Sequence, residues 1–453
     1  MKVCGKVPCL GPDKFMKDTI IKILKPLLFA IRKRIDTLDY RLTHLRSPVC
    51  LPWFKMRGKQ DTVNRIHRLA LEINGSKVRG AVVKGAMVWP LLSLILALYV
   101  VYRYGIWVKQ RYQLSLWLQW KQIVYLANVY NLPPQLYYDF RLWNDLNLRK
   151  ADQYIGWQEH AVILDWLNRN LDTKMLDNKR SFFEFYHPTD IPTPPIVAEF
   201  DRSGREQWYC DSSDFPKADL FIKPTSLYCG KGVERWEHIE LCQKWKRADT
   251  LLNHSDLVSY CRQLANKYPL LVQPRLRNHP SIAQFSNGAL CTLRVVSYHL
   301  PNTKPALLQS CFRMPVGMGE ADNFNAGGIA AGVSEGGKLG VAVGKDVRAG
   351  LFTHHPDTRA RIEGVDLPYW QQMVDLALLA HERLGAPCFV GWDIALTING
   401  PIVLEGNDKF GVDLAQMPQE QPLGETMYPE LIVAAAHATH PEPLLKTILV
   451  GES

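Results

Sequence analysis

Residues 389–407 constrain the fold of this chain more than any other stretch. Two runs with the composition of β-strands, 389–398 and 401–407, flank the dipeptide Asn399-Gly400. This dipeptide favours the tight turn of a β-hairpin, because Asn and Gly adopt the positive φ angles of such turns at little cost. The sequence therefore predicts an antiparallel hairpin here.

Three polar side chains of this hairpin are predicted to share one face. Asp393 lies in the first strand, and Glu405 and Asn407 are two residues apart in the second, so both point to the same side of the sheet. Two carboxylates and an amide carbonyl are hard oxygen ligands, which suit Mg²⁺ held between carboxylates and substrate phosphates. The alternative is an ordinary hairpin with its polar side toward water. The spacing alone leaves both interpretations open.

The positive charge of the chain is concentrated in residues 1–84. They hold 19 Lys and Arg against 6 Asp and Glu, a net charge of +13, whereas the whole chain of 453 residues has +10. Between Asp18 and Leu38, apolar residues recur at helical spacing among basic ones, which predicts a basic amphipathic helix. Such a helix either lies on an anionic membrane surface or packs on a domain. We expect no nucleic acid as a partner, since this region has no recognised nucleic-acid motif.

The ten cysteines indicate the compartment. They form no Cys-x-x-Cys pair and no regular zinc spacing, which is typical of a reduced, cytosolic chain. The N-terminus lacks the apolar core and cleavage site of a secretory signal. We therefore expect a cytoplasmic protein, with association to the inner face of the membrane as an open question.

Residues 85–108 form an apolar segment that precedes a helical, aromatic-rich region, 109–170. Lys84 and Arg103 bracket 18 uncharged residues, just enough for a helix to cross a hydrocarbon core of about 30 Å. A crossing would place everything after Tyr104 outside the cell, away from ATP, if the basic end stays inside. A membrane span, an in-plane or re-entrant segment and a buried core helix all remain open. The aromatic residues of 109–170 are interpreted as core residues, with stacking on a sugar or base as the alternative.

The pattern of apolar and turn-forming residues changes after Leu171. Short apolar runs alternate with Gly- and Pro-marked turns and a few helices, which is typical of an α+β domain. We assign residues 171–435 to a catalytic domain and residues 436–453 to a C-terminal tail. Residues 367–384 are predicted to form a helix that leads into the hairpin.

A glycine loop follows a predicted strand in this domain. Lys223 lies on the strand, and the loop contains Gly230, Lys231 and Gly232. A strand-borne Lys and bare backbone amides can surround phosphate oxygens. The spacing differs from that of a Walker A motif, which argues against a P-loop kinase.

Further strands add one polar residue each. Gln273 follows an apolar run, and Arg294 and Arg313 each lie among apolar neighbours on predicted strands. An isolated arginine on a strand is more often part of a salt bridge than catalytic.

The order of these pieces resembles the ATP-grasp superfamily, and in particular its sugar-transfer associated branch, related to alpha-L-glutamate ligases. The resemblance covers roughly residues 170–420 and includes the motifs Thr353-His354-His355-Pro356, Gly391-Trp392-Asp393 and Glu405-Gly406-Asn407. It implies an ATP-grasp fold, in which two α+β subdomains clasp ATP, here preceded by a mainly helical N-terminal region.

The resemblance also implies site roles. Lys179 and Lys223 would bind nucleotide phosphates, Gly230, Lys231 and Gly232 would belong to a loop that closes over them, and Gln273 would face adenine. Asp393, Glu405 and Asn407 would hold one or two Mg²⁺, for which Mn²⁺ can substitute, and Arg294 and Arg313 would stabilise the transferring phosphoryl group.

The reaction implied is that of a carbon–nitrogen ligase. ATP would convert a small or sugar-linked carboxylate into an acyl-phosphate, which an amine or similar nucleophile attacks. The name of the branch suggests cell-envelope polysaccharide metabolism. Two other functions remain open: a membrane-surface adaptor that binds nucleotide without ligation, and a kinase-like phosphotransferase. The substrate pair and the oligomeric state do not follow from the sequence.

Overall fold

The computed structural model describes residues 62–77, 81–210, 213–225, 232–317 and 324–440, all within the compact unit Val49–Ser453. The amphipathic helix predicted between Asp18 and Leu38 lies outside these residues. So do most of the basic region 1–84 and most of the tail 436–453. The domain boundaries given above stay predictions.

Helices dominate the first part of the described chain. Before the first strand, the described residues form α1 Thr62–Lys77, α2 Ala81–Val100, α3 Ile106–Tyr112, α4 Leu116–Val129, α5 Leu136–Asp139, α6 Asp145–Arg149, α7 Trp157–Leu167, α8 Lys174–Asp177 and α9 Lys179–Tyr186. A π-helical turn, Val101–Gly105, joins α2 to α3, so residues 81–112 are continuously helical. Ser115 and Asn178 cap α4 and α9, since each side-chain oxygen accepts an N–H of the first turn.

The first sheet is antiparallel, with one helix packed on one of its faces. Its elements are β1 Ala198–Phe200, β2 Glu206–Trp208, β3 Leu220–Pro224, β4 Glu234–Ile239, β5 Lys244–Arg247, β6 Thr250–Leu252, α10 His254–Ala265 and β7 Leu270–Pro274. The strand order is β2-β1-β7-β3-β4-β5-β6. Leu257 and Cys261 of α10 pack with Ile222 of β3. Because side chains alternate along a strand, Lys223 points to the face opposite α10.

The second sheet is also antiparallel. Its elements and the helices near it are β8 Thr292–Tyr298, β9 Ala306–Met314, β10 Ile329–Val333, β11 Leu339–Gly344, β12 Leu351–Phe352, α11 Trp370–Leu384, β13 Phe389–Thr397, β14 Gly400–Asn407, α12 Val412–Gln416 and α13 Tyr428–Thr439. The strand order is β12-β11-β10-β9-β8-β13-β14. The predicted α+β class is confirmed, because helices and antiparallel strands are segregated along the chain instead of alternating in βαβ units.

Helices cover both faces of the second sheet. On one face, Val374 of α11 packs with Trp392 of β13. On the other, Ile123 of α4 shares a core with Cys311 and Ala330 of β9 and β10, and α1, α7 and α13 extend this covering layer. All nine residues of β13 are buried as a result, which is unusual for an antiparallel strand, since such sheets often leave one face to water.

The predicted hairpin forms as β13 and β14. Ile398 and Asn399 lie between the strands, and Gly400 has a φ of +105°, where a side chain would be strained. The predicted helix of residues 367–384 forms as α11.

The apolar segment 85–108 is helical and packed on one side. In the described part of the chain, the helix Met87–Tyr112 has the length and apolar composition of a membrane span, by these two criteria alone. Ala97, Val100 and Val101 on its inner face belong to the core that includes Ile123. The aromatic residues that follow have mixed environments: Trp143 is buried, whereas Trp117, Tyr125 and Trp157 are exposed.

A buried charged pair joins α1 to α7. Nδ1 of His67 lies 3.0 Å from Oε2 of Glu159, and its Nε2 lies 3.1 Å from the carbonyl oxygen of Asp152. Both neighbours are acceptors, so both ring nitrogens donate and the imidazole is protonated. Burial lowers the pKa of His67, but the charge of Glu159 and the hydrogen bonds to Glu159 and Asp152 outweigh burial and raise it to about 9.

We expect this pair to make stability pH-dependent. Because the pKa of folded His67 lies above its ordinary value of 6.5, its stabilising contribution is complete below pH 6.5 and is lost as the pH rises through about 9. The loss is on the order of 3 kcal/mol. Urea unfolding of the full chain across this range should show it, and Glu159→Gln should flatten the profile. The same pH dependence in both proteins would contradict the assignment.

Candidate functional site

The register of the hairpin brings the predicted carboxylates together. Asp393 of β13 pairs with Glu405 of β14 on one side and with Arg294 of β8 on the other. Directly paired residues point to the same face of a sheet. A β-bulge follows at once, since Ile394 pairs with Val403. The extra residue in β14 sets Glu405, instead of its neighbour, opposite Asp393.

Two arginines neutralise Asp393. Nε of Arg294 lies 2.5 Å from Oδ1 of Asp393, and Nη1 of Arg313 lies 2.8 Å from its Oδ2. All three side chains are largely buried, with exposed fractions of 11%, 11% and 7%. Burial alone would raise the pKa of Asp393, but the two guanidinium groups hold it well below its usual range. The carboxylate is therefore ionised at any physiological pH.

The pKa of Glu405 is shifted in the opposite direction to that of Asp393. Burial raises the pKa of Glu405, and the charge of Asp393 raises it further, against the attraction of Lys179 and Arg294. Two carboxylates that face each other repel, and a cation between them would relieve that repulsion.

The donor set fits a hard cation. Asn407 donates from Nδ2 to the carbonyl oxygen of Gly391 at 3.3 Å, which assigns its Oδ1 as the atom available to a ligand. Two carboxylates and one amide oxygen are suitable for Mg²⁺. No group of three His, Cys, Asp or Glu side chains suited to a metal occurs among the described residues.

Gly406 separates Glu405 from Asn407 for a steric reason. A Cβ atom at this position would lie 2.9 Å from the Trp392 ring and 3.0 Å from Leu176. A larger residue would displace this packing and tilt the two polar neighbours, so the strand requires glycine between them.

Two lysines belong to the same electrostatic site. Lys223 is half-buried on β3, and Lys179 begins α9, where its backbone N–H donates to the carbonyl of Thr225 at 3.2 Å. Burial and the charge of Lys179 lower the pKa of Lys223 to about 8, while Glu405 acts in the other direction. A cluster of positive groups thus faces the carboxylates of the hairpin, an arrangement suited to a polyphosphate with a divalent cation.

The other predicted residues have varied positions. Gln273 is on the same face of the first sheet as Lys223, but it is buried and donates from Nε2 to the carbonyl of Pro194 at 3.1 Å. Gly230 and Lys231 lie outside the described residues. Gly232 has a φ of +73°, and a Cβ there would lie 3.0 Å from Pro224, so glycine is required at the end of this loop.

Two side chains near the site have partners from distant parts of the chain. Lys409, half exposed, lies 2.7 Å from Asp165 of α7. His355 is buried, and its Nε2 lies 2.9 Å from the carbonyl oxygen of Pro315. Both partners are distant in sequence, so no local pattern indicated them.

We expect Asp393 and Glu405 to differ in their effect on stability. Asp393→Asn leaves two buried arginines without their counter-charge, which should lower the free energy of unfolding by about 3–5 kcal/mol. Glu405→Gln removes a repelled carboxylate and should change it by less than about 0.5 kcal/mol. Urea unfolding of both full-length variants at neutral pH measures the difference. Equal losses would show that the arginines do not depend on Asp393.

Comparison with known proteins identifies the family. A model of the family described as sugar-transfer associated ATP-grasp matches residues 163–428, more than half of the 453-residue chain. A search of curated proteins finds no match.

Several solved structures are similar at low identity. D-alanyl-alanine synthetase A from Vibrio cholerae is 14% identical, with 59% of this chain and 66% of that chain covered and a TM-score of 0.34. The ADP complex of PurK, N5-carboxyaminoimidazole ribonucleotide synthetase, is 11% identical, with 57% and 52% covered and a TM-score of 0.32. D-alanine–D-alanine ligase from Bacillus anthracis is 14% identical, with 60% and 69% covered and a TM-score of 0.33. This chain spans less than two thirds of the first two.

The family match includes both sheets and the described residues of the candidate site, from Lys179 on α9 to Asn407 on β14. The ATP-grasp fold expected from the sequence is thereby confirmed, and this chain belongs to the sugar-transfer associated ATP-grasp family.

Proposed function

We propose that the protein is an ATP- and Mg²⁺-dependent ligase that activates a carboxylate and joins it to an amine or similar nucleophile. The observation that carries this proposal is the meeting of two lysines from the first sheet and its flank with two carboxylates and two arginines of the second. An adaptor that merely bound nucleotide would need no such set of charges.

Each candidate site residue has a proposed role that fits its side-chain chemistry. Lys179 and Lys223 would contact phosphate oxygens, with Gly230, Lys231 and Gly232 in the loop beside them, and Gln273 would lie toward adenine. Asp393, Glu405 and Asn407 would hold one or two Mg²⁺, with Mn²⁺ as a substitute. The metal, when bound, would neutralise charge on the phosphates.

The reaction needs positioning and charge neutralisation more than a protein nucleophile. An oxygen of the substrate carboxylate attacks the γ-phosphorus, the bond to the β-phosphate oxygen breaks, and ADP leaves. The amine then attacks the acyl carbon, inorganic phosphate leaves, and the nitrogen loses a proton. Arg294 and Arg313 would stabilise the charge on the transferred phosphoryl group, which is the main contribution a protein makes in such a transfer.

The substrate and the location are part of the same proposal. We propose a small or sugar-linked carboxylate as substrate and a role in cell-envelope polysaccharide metabolism, for which the only support is the phrase sugar-transfer associated in the family's description. We place the protein in the cytoplasm, where ATP is available, with its basic N-terminal region toward the anionic inner face of the membrane.

We expect full-length protein with Mg²⁺ to release ADP only when both a carboxylic acid and an amine are present. A panel of small and sugar-linked acids, each tested with and without amines, would identify the pair. ADP release with acid alone would indicate phosphotransfer, and nucleotide binding without turnover on the panel would favour the adaptor.

Glu405→Gln should lower kcat about 100-fold or more. Glu382→Gln, an exposed carboxylate on α11, is the matched control and should leave kcat unchanged.

The lowered pKa of Lys223 predicts a pH-dependent affinity for ATP. Phosphate oxygens bind the protonated amine, so affinity should fall as the pH rises through about 8, by at most about tenfold per pH unit. Lys223→Arg keeps its charge throughout and should give a flat profile. Calorimetric titration with ATP on both proteins is the measurement. Profiles of identical shape would remove Lys223 from the phosphate site.

A further inference from the structure

The outward face of the helix 81–112 is apolar along most of its length. Its exposed apolar residues recur every three or four positions, which keeps them on one side of a helix. We call them the α2–α3 stripe: Met87, Leu91, Ile95, Leu98, Tyr102 and Ile106, each more than half exposed. At 1.5 Å per residue the stripe is roughly 28 Å long. Scattered exposed apolar residues are ordinary, but a continuous row of this length marks an interaction surface.

The opposite face of the same helix is fastened to the protein. The Trp89 indole donates to the carbonyl of Ala127 at 2.9 Å, and Asn128 donates from Nδ2 to Oγ of Ser93 at 2.9 Å. Farther along, Val100 lies in the core shared with the second sheet. A helix that crossed a bilayer would lose these contacts, so we expect the stripe to meet its partner while the helix stays packed against α4.

Aromatic residues of α4 adjoin the stripe. Trp117 is 63% exposed and stacks on Trp120, with ring centroids 4.9 Å apart. The indole of Trp120 donates to the carbonyl of Leu94 at 3.4 Å, which fixes the aromatic pair beside α2. Tryptophan and tyrosine are the residues that favour the boundary between lipid headgroups and acyl chains.

The chain segment that carries the stripe has charges of one sign. From Ile73 to Tyr138 the sequence contains seven basic residues and no acidic one. Lys109, Arg111 and Lys121 of this segment are exposed. A second copy of the chain would bring these cations against their own equivalents, which is unfavourable. An anionic lipid surface would meet them with opposite charge.

We propose that the α2–α3 stripe lies in the plane of an anionic phospholipid bilayer, with its apolar side chains at the headgroup–acyl boundary and the flanking cations on the headgroups. Both faces of the helix are then buried, one against α4 and the core that it shares with the second sheet, and one in lipid. This surface is separate from the candidate active site and does not depend on the reaction proposed there.

Vesicle cosedimentation of the full chain tests the proposal. The vesicles contain equal parts of phosphatidylcholine and phosphatidylglycerol, or phosphatidylcholine alone. We expect binding to the anionic vesicles, at least about tenfold weaker binding to the neutral ones, and a further loss in high salt. The triple variant Leu91→Gln, Ile95→Gln, Leu98→Gln should lower the partition coefficient about tenfold or more, and these exposed positions leave the core intact.

A matched control replaces the same residue types, two leucines and one isoleucine, elsewhere on the surface. Leu146→Gln, Leu241→Gln and Ile398→Gln change three exposed residues off the stripe and should bind like wild type. Because the basic residues 1–84 are present in every variant, a difference between the two triple variants reports on the stripe alone.

Three results would overturn the proposal. The first is equal binding by the stripe variant and the control. The second is equal binding of wild type to neutral and anionic vesicles. The third is a wild-type dimer in sedimentation velocity that the stripe variant dissociates, since a second copy would then cover this face.

Discussion

The pairing of one carboxylate with two guanidinium groups holds the centre of the second sheet in register. Asp393, Arg294 and Arg313 come from three neighbouring strands and are almost fully buried. An unpaired charge at this depth costs several kcal/mol. A slip of one residue on any of the three strands would turn one of these side chains to the other face. The ion pairs therefore disfavour such a slip, and the same register presents Glu405 beside them.

This arrangement gives the two acidic residues different properties although they are paired across adjacent strands. Asp393 is fixed and ionised by its arginines, while Glu405 bears the repulsion between the carboxylates. The first supports the fold, and under the function proposed here the second is the group whose charge state would respond to a bound cation. Lys223, with its lowered pKa, is the counterpart on the first sheet. The site thus combines Asp393, which stays ionised, with Glu405 and Lys223, whose pKa values are shifted toward the neutral form.

The features that could be predicted from the sequence have local signals. The hairpin, the helix α11 and the order of polar residues on strands all depend on neighbouring residues, and all were anticipated. The ion pair between Arg294 and Asp393 joins residues 99 apart, and the strand register that makes it depends on the whole sheet. The bulge after Asp393 and the partners of Lys409 and His355 were missed for the same reason: each depends on a distant residue that no local pattern indicates.

The helices that cover the second sheet make the folding unit larger than the region of family similarity. The similarity begins at residue 163, yet Ile66 and Ile123, far upstream, are fully buried in cores shared with strands of the sheet. A chain cut at the family boundary would leave a broad apolar sheet face in water, and such a surface invites aggregation. The upstream helices therefore bury an apolar face of the region that matches the family and keep that face out of water.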